Sequence, residues 1–86
     1  MSTEKIEELE NKLDELRTDI QTEFVWTMAN RYNTSMQDEV AEREANLESL
    51  KSQYDSTENE LNKAKQLLSD EQEKIRDLEL LAQQQR

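Results

Sequence analysis

Ile6, Leu9, Leu13, Leu16 and Ile20 follow one another at steps of three, four, three and four residues. That spacing lays one apolar stripe along a supercoiled helix, with Ile6, Leu13 and Ile20 at the a positions and Leu9 and Leu16 at d. A longer run repeats the device: Val40, Leu47, Tyr54, Leu61, Leu68, Ile75 and Ala82 at a, and Met36, Leu50, Ala64 and Leu78 at d. The other d positions of this run are Arg43, Thr57, Glu71 and Gln85. Polar layers of this kind sacrifice stability and commonly fix register and partner number.

A stripe needs a continuous helix beneath it, and the composition supplies one. None of the 86 residues is glycine or proline, and Glu, Gln, Leu, Lys and Arg, all good helix formers, dominate. With 33% hydrophobic against 37% charged residues the chain is too polar to close a globular core of its own, so stability must come from pairing helices. The expected fold class is therefore all-α, a coiled coil of long amphipathic helices. Glu8 with Lys12, Glu39 with Arg43 and Asp70 with Lys74 add acid-first i to i+4 pairs that support helix.

The two stripes do not share one frame. Twenty residues separate Ile20 from Val40 where three heptads need twenty-one, a shift of roughly 100° around the helix. An interruption between residues 21 and 39 follows, and the composition changes there: Phe24 to Ser35 carries one charge, Arg31, and three of the four aromatic residues. The chain thus divides into a first heptad segment, 1–23, an aromatic low-charge joint, 24–36, and a longer heptad segment, 37–86. Asn33 can end a helix in the left-handed conformation, and Ser35 can cap the next with Asp38 three residues on. Thr34 with Gln37 offers the same device one residue earlier; equally, Asn33, Thr34 and Ser35 can lie on an exposed turn of an unbroken helix, and spacing does not choose between the two.

Two topologies satisfy this pattern. If the chain reverses near residue 33, Ile6 comes opposite Leu61, Leu13 opposite Tyr54 and Ile20 opposite Leu47, each pair summing to 67, with Glu23 near Arg43. In that register Lys5 meets Glu60, but Glu10 meets Glu58 and Arg17 meets Lys51, two like-charge contacts. In a parallel pair of chains Lys5 with Glu10, Glu60 with Lys65 and Lys74 with Glu79 attract, and Lys12 with Arg17 repels. The charges therefore favour a parallel homodimer bent or broken near 24–36, with the antiparallel hairpin and its longer second arm as the alternative. Self-association is expected through Ile6, Leu9, Leu13, Leu16, Ile20, Val40, Leu47, Leu50, Tyr54, Leu61, Leu68, Ile75 and Leu78.

Without histidine or cysteine the chain lacks the usual neutral-pH base, the thiol nucleophile and the common transition-metal ligands. Carboxylate pairs such as Glu7 and Glu8, Asp38 and Glu39, or Asp70 and Glu71 need a water-poor pocket to act as acid and base, which two thin helices do not build. No glycine means no phosphate-cradling loop and no calcium loop. The expectation is no enzyme, no catalytic residue, no cofactor, no metal and no small-molecule substrate. A net charge of −10 repels phosphates and anionic lipid, so neither direct nucleic-acid binding nor membrane binding is expected. The acidic start and the lack of an apolar run point to a soluble, intracellular and most simply cytoplasmic protein.

Recognition is left to two surfaces. Phe24, Val25, Trp26, Met28 and Tyr32 form the aromatic patch of the joint, and Trp and Tyr are over-represented where binding energy concentrates. Leu67, Leu80 and Leu81 fall outside the a and d frame and broaden the apolar stripe near the end of the chain. The expected role is a non-enzymatic adaptor that self-associates and docks a larger protein through the joint or these leucines. The alternative is a small acidic inhibitor or regulator that mimics nucleic-acid charge and blocks a basic groove on a target protein.

Overall fold

The computed structural model describes residues 3–85. Helix α1 runs Thr3–Asn30, a short 3-10 turn spans Thr34–Met36, and helix α2 runs Gln37–Gln84. No strand occurs among the described residues. α2 turns back along α1, giving a rod of 79 × 14 × 14 Å. This is the hairpin alternative, not the parallel arrangement that the flanking charges favour. A short turn makes the partner stripe local and the loop-closure cost small, whereas each exposed charge pair is worth only a few tenths of a kcal/mol. The unfavourable contact foreseen for Arg17 is also relieved, because its guanidinium donates to the Tyr54 hydroxyl (3.1 Å) and to Asp14 (3.1 Å).

The seam follows both heptad stripes. Ile6, Leu9, Leu13, Leu61 and Ala64 form the apolar cluster, with Tyr54 and Leu68 against it, while Leu16, Val40 and Leu47 are buried farther toward the turn. Ile20 and Leu50 are half-buried. Of the residues expected to join two chains, all but Ile75 and Leu78 are thus used between two helices of one chain. The one-residue offset between frames has a simple cause: two stripes that meet face to face across a turn need no common phase.

α1 keeps its stripe beyond Ile20. Glu23, Thr27 and Asn30 continue the same a and d positions and are buried or half-buried. Thr27 and, on α2, Thr57 are the most deeply buried polar residues, at 3% and 2% exposure. Each hydroxyl donates to the carbonyl four residues back, Glu23 O at 2.7 Å and Gln53 O at 2.8 Å, leaving its methyl for the core. The Thr57 layer is therefore internally satisfied, and no buried side-chain polar atom among the described residues lacks a partner.

The helical break is narrower than residues 24–36. α1 continues through the aromatic patch to Asn30, and the chain reverses within 31–36. Asn33 does not take the left-handed conformation: its φ and ψ are −80° and 108°. It serves the segment ahead of it, its side-chain oxygen accepting from the Ser35 N–H (3.2 Å) and hydroxyl (2.8 Å). Ser35 accordingly does not cap α2, whose first residue follows Met36 without a side-chain cap. The Gln37 amide donates to the Arg31 carbonyl (3.2 Å) and to the Asn33 carbonyl (2.8 Å), the latter accepting from the Met36 N–H (3.0 Å) as well.

Candidate functional site

At the turn end, the polar d layer predicted from Arg43 becomes a clamp. Both Glu23 carboxylate oxygens accept from Arg43 Nη1 at 3.2 Å, and Glu39 accepts from Nη2 at 3.4 Å. The guanidinium lies over the Trp26 ring, 4.7 Å from its centroid. Hydrogen bonding to Glu23 raises the Arg43 pKa above its ordinary value, with burial opposing and the Glu39 contact adding to it. The contacts of one guanidinium with Glu23 and Trp26 on α1 make the clamp a register pin for the two helices. A similar direction holds for Arg17, where the Tyr54 hydroxyl is the main cause.

Trp26 is half-buried, one face of its ring taken up by the Arg43 guanidinium. The rest of the aromatic patch remains open: Phe24 is 49%, Val25 59%, Met28 49% and Tyr32 89% exposed. Phe24 and Met28 stand one turn apart on one flank of α1, Val25 and Ala29 face outward, and Trp26 closes the other flank. A shallow groove of about 560 Å³ runs along the outward side, lined by Thr18, Gln21, Thr22, Val25, Trp26, Ala29 and Asn30. None of those seven side chains is charged, on a rod that is otherwise densely acidic. Thr18 and Thr22 turn their hydroxyls back to the Asp14 (3.1 Å) and Thr18 (3.0 Å) carbonyls, which leaves their methyls to the groove.

The second expected surface lies at the opposite end. The described part of α1 starts at Thr3, which the 67-sum register places beside Ala64, so among the described residues α2 projects from about Ser69 to Gln84 with no helix against it. Ile75, Leu78, Leu80, Leu81 and, just inside, Leu67 are each at least half exposed. The structure thus separates the two sets of candidate partner-binding residues to opposite ends of the rod. Sequence reasoning missed the uncharged groove because Thr18, Gln21 and Thr22 look merely polar, and its signal was the scarcity of charge between residues 18 and 30.

Among the described residues no group of three or more acidic, histidine or cysteine side chains is placed to hold a metal ion. No helix is long and apolar enough to cross a membrane. What fold and surface define together is an acidic two-helix hairpin with an uncharged apolar patch at the turn and a bare helix at the other end. Comparison with known proteins finds no matching family model, no matching curated protein and no matching solved structure.

Proposed function

We propose that this chain is a non-enzymatic coiled-coil adaptor that docks a larger protein at its turn end and self-associates through its projecting α2 end. The observation that carries the reading is the exposed set Phe24, Val25, Met28 and Tyr32 beside an uncharged groove, on a rod of net charge −10. Exposed apolar clusters of this kind on otherwise charged surfaces mark binding sites. The clamp beneath supports it, since Arg43 and Trp26 stiffen the helix that presents the patch and so lower the ordering cost of binding. Some 38 residues of α2 from Val40 to Leu78 separate the two ends by roughly 57 Å, a span suited to joining components at a fixed distance.

The test places a photo-crosslinking residue at Val25, Met28, Tyr32 or, as a control, Asn46, and identifies the captured protein in extracts of the source cells. The adaptor reading expects one protein captured from all three turn-end positions and not from Asn46, with capture insensitive to salt and lost in Met28→Asp. Capture from every face that fades between low and moderate salt would instead establish charge mimicry of nucleic acid. Trp26→Ala is the wrong probe for this purpose, because it also removes the ring under Arg43.

A further inference from the structure

We infer that two copies of this chain join antiparallel through their projecting α2 ends, with Ile75 of each copy against Leu78 of the other. The inference rests on the self-association in the reading above and leaves the turn-end docking aside. It starts from continuity: the α2 stripe that α1 covers through Leu61, Ala64 and Leu68 runs on in the same frame through Ile75, Leu78 and Ala82. Among the described residues the covering helix extends only to Thr3. Ile75 and Leu78 stand 56% and 65% exposed at positions whose apolar counterparts closer to the turn are buried or half-buried.

The uncovered length, about 16 residues or roughly 24 Å, fits one helix, and that helix must stop short of Thr3. A parallel second copy cannot meet this condition. Its own residues 61–64 would lie beside those of the first copy, in the volume α1 already fills, and both α1 helices would be displaced. An antiparallel copy centred between Ile75 and Leu78 places its Gln84 beside Ser69, whereas Thr3 stands beside Ala64. It then runs in the same direction as α1, its C-terminal end pointing at the N-terminal end of α1, so the two helix dipoles lie head to tail.

Charge points the same way. Parallel pairing sets Glu71 against Glu71 on the seam and gains only the exposed Lys74–Glu79 pair, which is worth little. Antiparallel pairing sets Glu71 against Ala82, Lys74 beside Leu81 and Glu79 beside Gln72. No like charges face each other across this interface, despite the acidity of the chain, and the Lys74 stem gains apolar cover from Leu81. So short an overlap makes a weak dimer that assembles as concentration rises.

The chain has no cysteine, so single cysteines introduced as Arg76→Cys or Asn46→Cys carry spin labels at one defined position in the full protein. Sedimentation over rising concentration gives the mass, and label separation gives the geometry. The expected result is a mass climbing from 10.2 kDa toward twice that, a 76-to-76 separation of about 20–25 Å and a 46-to-46 separation of about 90 Å. Ile75→Glu with Leu78→Glu, both outside the α1 contact, is expected to keep the helix content and abolish the mass increase. A dimer with short separations at both positions is parallel and overturns the inference while leaving self-association standing. A monomer at every concentration overturns both, and a double variant that still dimerises overturns the assignment to Ile75 and Leu78.

Discussion

Leu61→Ala and Leu78→Ala remove the same atoms from the same helix and the same heptad stripe, yet the hairpin assigns them very different costs. Leu61 is 6% exposed inside the cluster of Ile6, Leu9, Leu13 and Ala64, whereas Leu78 is 65% exposed beyond the reach of α1. Truncating a buried leucine costs about 2–5 kcal/mol. A core only two helices thick relaxes easily toward the void, so the lower part of that range, about 2–3 kcal/mol, is expected at Leu61. For a domain of this size each kcal/mol moves the melting temperature by roughly 4–8 °C, giving a loss on the order of 10–20 °C. At Leu78 the lost contact is with solvent, and alanine's better helix propensity offsets part of it, leaving a change within about 0.5 kcal/mol. Circular dichroism melts at the lowest workable concentration, where α2 ends are unpaired, read both. Equal losses at the two positions would refute the hairpin core and restore the parallel pair, in which both leucines are seam residues.

Three further outcomes follow from the same contacts. Asn33→Ala removes the acceptor of two Ser35 hydrogen bonds and should cost about 1 kcal/mol, while Asn33→Asp keeps the acceptor and should cost little; urea melts in which Asp is as damaging as Ala would count against the cap. Thr57→Val should be neutral or mildly stabilising, because the Gln53 carbonyl keeps its helical N–H and the buried methyl is retained. Thr57→Ser, which keeps the hydroxyl and loses the methyl, should cost about 1 kcal/mol in the same melts. Arg43→Ala uncovers the single tryptophan and should shift its fluorescence emission to the red, an effect that Lys51→Ala, remote from the ring, should not share. An unchanged spectrum would disprove the stacking.

Much of this molecule was readable from residue spacing alone. The helical stripes and their residues from Ile6 to Leu68 come from counting in threes and fours, whereas the pairing of Glu23 with Arg43 belongs only to the hairpin register that the flanking charges disfavour. Topology did not, because it was weighed on exposed charge pairs whose individual worth is smaller than the freedom of a side chain to find another partner. Arg17 does so by turning from Lys51 to Tyr54 and Asp14. The continuation of the α1 stripe through Thr27 and Asn30 was hidden because hydropathy counts both as polar. Their side chains donate to Glu23 O and Trp26 O within the helix, at 2.7 and 2.9 Å, so no donor is carried bare into the seam. Asn33 shows the opposite difficulty: one residue type serves both to end a helix and to begin one, and only the backbone decides between them. Large aromatics are rare here and make Trp26 a recognition candidate, but nothing local marks an arginine 17 positions on as a contact of its ring.

The uneven seam explains how one rod can serve two ends. Apolar side chains concentrate where α1 begins, around Leu9, Leu13 and Leu61, far from the turn. At this distance from the turn that links the helices, non-directional burial keeps α1 docked. Near the turn, where the link already holds the helices together, Glu23 with Arg43, Thr27 and Asn30 add direction around the buried Val40. A slip of one residue along the seam would leave Arg43 without Glu23 and with its charge half-buried, whereas leucines tolerate small slips. The polar layers thus fix the rotation of α1 about its axis, and with it the outward direction of Val25 and the flank position of Met28. The same register sets where Thr3 falls on α2, and hence how much of α2 is left bare for a second copy. Register specified at one end therefore sets the length of the interface at the other.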